Sequence, residues 1–204
     1  MVKYKWLPVL LMLAVGFAAV IGCSHGKKVQ RIDPEEQIDL SGRWNDTDSR
    51  LVSEKMISDC LSKPWRVRHM EKYSKRPTVI VGQIRNKTTE HIATGTFIGD
   101  IEKAFINSGE IELVASPEER EQIRGERADQ QEFSSQESMK EWGREHGADY
   151  MMIGTIESIE DREGGEMVIF YQVDLTLIDL ESNTKVWQEQ EKIKKYITLG
   201  SYSP

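Results

Sequence analysis

The side chains with intrinsic reactivity are few and far apart. There are two cysteines, Cys23 and Cys60, and four histidines, His25, His69, His91 and His146. No two histidines lie at the spacing of a helical metal-ligand pair, and HExxH is missing. GxSxG, which sets a serine on a strand-to-helix elbow, does not occur; nor does a P-loop or a GxGxxG turn. Gly95 and Gly99 fall inside a helical pattern, and Gly164-Gly165 reads as a hairpin turn. Carboxylates are plentiful, but none pair off as acid and base. His146 ends an expected helix, where an imidazole suits the dipole. Cys60 lies on an apolar helix stripe, so it reads as a small buried hydrophobe before it reads as a reactive thiol. The residues point to a chain that is not an enzyme, with no cofactor and no metal.

Cys23 is different, because its surroundings prescribe a reaction. Lys3 and Lys5 precede an apolar run from Leu7 to Ile21, interrupted by Pro8. That run is short for a spanning helix, which needs about 20 apolar residues. It has the length and flanks of a secretory signal. Val20-Ile21-Gly22-Cys23 resembles a bacterial lipobox, which implies cleavage after Gly22 and acylation of Cys23. Stable anchoring takes more than one acyl chain, and a multiply acylated cysteine supplies them. Ser24 rather than Asp at the next position implies an outer-membrane, periplasm-facing address in enteric-type bacteria. The expected organisation is a signal peptide over 1–22, a lipidated N-terminus and tether over 23–40, and one domain over 41–204. Seventeen fully extended residues, 24–40, reach at most roughly 60 Å.

Loss of Lys3 and Lys5 with the signal takes the formal charge from −7 to −9. Such a balance disfavours nucleic acid as a partner. With Cys23 acylated, Cys60 has no partner for an internal disulfide, so packing must stabilise the domain.

The elements that follow are legible from periodicity and punctuation. Capping residues at Asp46–Ser49 open a helix with Leu51, Val52, Met56, Cys60 and Leu61 on one stripe, ending before Pro64. Residues 77–84 form a β-branched buried strand. Phe97, Ile101, Ala104 and Phe105 mark a second helix that stops at Gly109. A short strand over 111–115 precedes Ser116-Pro117-Glu118-Glu119, a capping box opening a charged helix through Arg127. Ser134 to Glu137 opens another helix, with Met139 and Trp142 inward. Three strands close the chain, over 149–159, 167–177 and 185–197. Tyr171, Val173, Leu175 and Leu177 face inward between Gln172, Asp174 and Thr176, which face water. The order α-β-α-β-α-α-β-β-β predicts an α+β fold, a small mixed and mostly antiparallel sheet with helices mainly on one side. Phe97, Ile101, Phe105, Val173, Leu175 and Trp187 are the expected core.

Several stretches resemble the LpoB family, the lipoprotein activators of bifunctional penicillin-binding proteins. They are DLSGRWNDTDSRLVSEKM (39–56), PTVIVGQIRNKTTEHI (77–92), IEKAFINSGEIELVAS (101–116), GADYMMIGTI (147–156) and YQVDLTLIDLESNTKVW (171–187). The resemblance implies a fold similar to the N-terminal domain of TolB. It implies an outer-membrane lipoprotein that docks on a peptidoglycan synthase and stimulates cell-wall synthesis. The best-known members carry a long proline-rich tether, and here the tether is short. A second reading, from the same fold type, is a structural or secretion-associated lipoprotein with a curli-export-like module. Trp44, Trp65 and Arg66 are the candidate partner-interface residues, because aromatics and arginine are enriched at interface cores. Core packing is the competing role for both tryptophans.

Overall fold

A computed structural model describes residues 29–133 and 147–198. Cys23, His25, the expected helix opened by Ser134, and His146 lie outside the described residues. Residues up to Glu36 form one unit, and a second begins at Gln37. In the first, a turn closes with Glu36 N–H donating to the Asp33 carbonyl at 3.0 Å.

Helix α1 spans Asp46–Ser62. Asn45 caps it, with Asp48 returning the bond to the Asn45 N–H, so two orphan donors are satisfied at once. Its buried stripe is Val52, Met56, Ile57 and Cys60. Leu51 was expected there but is 47 % exposed, one position off the stripe, and Ile57 takes its place. Helix α2, Trp65–Tyr73, was not foreseen. It starts at Pro64 and is held by Trp65 and His69, an i, i+4 pair that a hydrophobicity pattern does not score because one member is a histidine.

Strand β1 (Thr78–Asn86) leads to helix α3 (Thr94–Ser108), which buries Phe97, Ile101 and Phe105 and ends with Gly109 at φ 66°. Each fully buried side chain contributes about 1.5–3 kcal/mol relative to exposure. Strand β2 is only Glu112–Leu113. Helix α4, Pro117–Phe133, opens with the expected capping box, Ser116 and Glu119 bonding each other's backbone N–H. It runs past Arg127.

Strands β3 (Tyr150–Glu163), β4 (Glu166–Asp179) and β5 (Lys185–Thr198) form an antiparallel meander. They run further than expected, because the β3–β4 ladder continues to Glu163↔Glu166 and turns only on Gly164 and Gly165, both at positive φ. The sheet order is β2-β1-β3-β4-β5, with β1 parallel to both its neighbours. The fold is α+β with a mixed sheet. Met152, Ile156, Tyr171, Val173, Leu175, Leu177 and Trp187 share the buried face with Val79, Val81 and Ile84. All six expected core residues are buried. Thr176 departs from the alternation: it is buried although it faces the other way, and so is Ile80.

Candidate functional site

Two polar corners lie at opposite ends of the sheet. The first is where the chain joins the domain. The Trp44 ring packs edge-on against Phe97 and Tyr171, with centroids at 6.0 and 5.6 Å. Its indole N–H donates to Ser49 Oγ at 2.8 Å. Beneath it, the Tyr171 hydroxyl donates to Glu90 Oε1 at 2.5 Å and accepts from the Trp44 N–H at 3.0 Å. Burial, and then the bond to Glu90, push the Tyr171 phenol well above its ordinary range. Glu90 belongs to a tightly tied loop. Asn86 Nδ2 donates to the Glu90 carbonyl, and Thr88 bonds both Asn86 and Glu90.

Beside it, Lys195 of β5 collects the start of the domain. Its Nζ donates to Asp39 at 2.9 Å, Asp48 at 2.6 Å and the Arg43 carbonyl at 3.1 Å. Burial disfavours its charge, but the two carboxylates outweigh that and raise the ammonium pKa. Gly42 sits at φ 70° where a Cβ would strike the Ile197 side chain. A shallow cleft of about 380 Å³ lies between Asp39–Gly42 and Lys195–Thr198.

The second corner is α2. Trp65 is 1 % exposed, packs on Tyr150 at 5.0 Å and donates its indole N–H to the Cys60 carbonyl at 2.7 Å. Arg66 is half-buried and ion-paired with Glu110. His69 is fully buried at its side chain. Its Nδ1 is 3.1 Å from the Tyr150 hydroxyl, while Nε2 has no hydrogen-bond partner and sits 3.6 Å from Asp149 Oδ2. Burial holds the His69 pKa below its ordinary value, with Asp149 opposing. Burial also opposes the Asp149 charge, but the Thr78 N–H and Lys75 keep that carboxyl below the usual range.

The structure therefore separates the three candidate interface residues. Trp44 packs on Tyr171, which pairs with Ser158; Trp65 packs on Tyr150, eight positions earlier along β3. At 3.3–3.4 Å per residue that is about 27 Å. Trp65 and Arg66 sit together; Trp44 stands apart. Neither corner carries an activated group. Burial pushes the Cys60 thiol up to about 12 and the Tyr150 phenol up to about 12, so both stay protonated at neutral pH. Among the described residues no three His, Cys, Asp or Glu converge as metal ligands. Reasoning from sequence missed Lys195, Glu90 and His69, because their roles arise from strand pairing and not from local spacing.

A family model described as peptidoglycan-synthase activator LpoB matches residues 48–193. The chain belongs to the LpoB family. Among solved structures it is similar to the LpoB C-terminal domain from Escherichia coli, at 15 % identity and TM-score 0.44, covering 74 % of this chain and 98 % of that one. It is similar to the solution structure of Escherichia coli LpoB at 12 % identity and TM-score 0.42, covering 86 % and 84 %. It is similar to lipoprotein GNA1162 from Neisseria meningitidis at 12 % identity and TM-score 0.38, covering 59 % and 83 %. No curated protein sequence matches it significantly. The span matched to the LpoB family runs from the first turn of α1 into β5 and takes in α2, the Glu90 loop and the meander. Asp39, Trp44 and Lys195 fall outside it.

Proposed function

We propose that this LpoB-family chain is a lipoprotein, anchored in the outer membrane through acylated Cys23 and facing the periplasm. Its domain binds a bifunctional penicillin-binding protein and stimulates peptidoglycan synthesis. The observation that carries the reading is the family match over residues 48–193, which spans most of the folded domain. An activator of this kind acts by docking, and the buried thiol and histidine of the domain are consistent with a binder. Arg66 and Trp44 are proposed as partner contacts, with Trp65 holding Arg66 in place from the core. The test is to add purified residues 24–204 to the cell's bifunctional synthases during lipid II polymerisation. Binding with a faster rate is expected for one of them. Neither binding nor a rate change with any of them would refute the activator reading.

A further inference from the structure

The end of the sheet farthest from α2 holds apolar side chains in water. Among the described residues of the unit that begins at Gln37, the three most exposed large apolar side chains are Leu40, Ile159 and Tyr196, at 93 %, 67 % and 62 %. Strand register gathers two of them. Ile159 of β3 pairs with Phe170 of β4, and in the neighbouring row Val168 of β4 pairs with Tyr196 of β5. Side chains two apart along a strand share a face, so these four form one patch on the side turned away from α1 and α3. Phe170 and Val168 are half-buried within it. Leu40 lines the same cleft as Tyr196.

The charges around the patch do not draw an anion. Lys192 and Lys194 share the face with Glu157, Asp161, Glu163 and Glu166. Two cations among four carboxylates give no electrostatic pull on anionic lipid or on an acidic partner, so the attraction is apolar. The Tyr196 hydroxyl donates to Glu166, which satisfies its polar tip while the ring stays exposed. An amphipathic ring of this kind suits the boundary between water and lipid.

The occupant follows from where the chain enters. Asp39 is held by Lys195, the chain neighbour of Tyr196. Thirteen residues, 24–36, separate Cys23 from this unit. As a coil they span about 20 Å. An anchor at Cys23 therefore keeps this end of the domain within about one tether length of the bilayer. The α2 corner at Tyr150 lies nine positions from Ile159, about 30 Å further along β3. At the millimolar effective concentration set by a short linker, a contact too weak to bind alone is populated. A few apolar residues beside an acyl anchor act as a second membrane signal.

We infer that this end of the domain rests through Leu40, Ile159 and Tyr196 on the zwitterionic lipid surface that holds Cys23. The inference rests on the proposed acylation of Cys23 and not on the synthase. It turns the α2 corner, with Arg66, away from the membrane and toward a partner. A second copy fits the patch less well, because a two-fold contact sets the four carboxylates of one copy against those of the other.

The test uses the mature acylated chain in phosphatidylcholine vesicles. An environment-sensitive fluorophore is placed on Lys194→Cys, or on Arg68→Cys of α2 as the far-end control; Cys60 is buried and does not take the label. Mass spectrometry first establishes the acylation of Cys23. The probe at 194 should shift to the blue and be quenched by spin-labelled lipid, and the probe at 68 should do neither. Ile159→Thr with Tyr196→Thr keeps strand-forming residues at both positions. It should return the probe at 194 to its emission in water, and an unchanged circular-dichroism melt shows that the variant is folded. Equal emission from the two probes, both in lipid or both in water, overturns the inference. So does a shift that survives the double substitution, one that needs anionic lipid, or one that grows with the number of chains per vesicle, which marks contact between copies. An unacylated Cys23 removes the anchor and the inference together. An acylated Cys23 with the probe at 194 in water removes the inference alone. Lipid II polymerisation with unlipidated residues 24–204 reports on the activator reading separately.

Discussion

Gly154→Ala is the substitution whose cost follows most directly from the fold. Gly154 faces Leu175 across the β3–β4 ladder, on the buried side. A Cβ there would lie 2.5 Å from the Asp174 carbonyl oxygen and 2.5 Å from Leu175 Cδ2. The side chain can rotate away; the carbonyl belongs to the neighbouring strand and cannot move without disturbing the ladder. Overpacking costs about 1–3 kcal/mol, and a fixed backbone obstacle puts this site at the upper end. Replacing glycine in a strand returns about 0.5–1 kcal/mol of conformational entropy. The net expectation is a loss of about 2 kcal/mol, or about 4–8 °C in Tm for a domain of this size. Leu175→Ala alone should cost about 2–5 kcal/mol. The double variant should be less destabilised than the sum by about 1 kcal/mol, because the leucine contact disappears while the carbonyl contact stays. Urea unfolding followed by tryptophan fluorescence gives all three values. Gly154→Ala as stable as wild type, or strict additivity with Leu175→Ala, would refute the packing argument.

Other expectations follow from the two corners and the anchor. The folded His69 pKa lies below its unfolded value, so the unfolded chain binds the extra proton first. Stability should be full above about pH 6.5 and fall as pH drops toward the folded pKa; His69→Phe should flatten that slope in urea unfolding measured from pH 7.5 to 5. Lys195→Met leaves Asp48 and Asp39 without their ammonium. It should cost about 3 kcal/mol, the low end for a broken buried pair, because Asp39 is 38 % exposed and can rehydrate; limited proteolysis should then cut within 39–43, and an unchanged digest would contradict the hold of Lys195 on that stretch. Cys23→Ala should leave an unlipidated precursor by mass spectrometry, and cleavage anywhere but before residue 23 in the wild type would contradict the anchor.

The helices, the strands and the core were largely legible because each rests on local chemistry. Ser116 and Glu119 cap α4, Gly109 stops α3, and alternation in β4 named Val173 and Leu175 as buried. Helix α2 was not legible, since its inward residues are Trp65 and a histidine whose burial depends on Tyr150, 81 positions away. The length of the β3–β4 hairpin was also hidden. Glu160, Asp161 and Glu163 look like loop residues, yet they pair in register because the ribbon extends beyond the core. The site was less legible still. Trp44 and Trp65 are near in type but about 27 Å apart along β3, and only strand register reveals that.

The same limit applies to the tether, where it changes the physical argument. Composition ends the tether at residue 40. Lys195, 155 residues beyond the tether's end, decides otherwise by holding Asp39 against β5 and the cap of α1. The compact unit begins at Gln37, so the proposed tether between an acylated Cys23 and the domain is residues 24–36. Its greatest span falls from roughly 60 Å to about 45 Å. As a free coil its typical span would be about 20 Å. A linker concentrates the domain near a target to millimolar levels only where it spans the gap, and contributes nothing beyond its reach. Lys195 therefore helps to set the radius within which the proposed docking can occur. Releasing it adds several residues of reach at the cost of some stability. A partner met only beyond about 45 Å must itself extend toward the anchor.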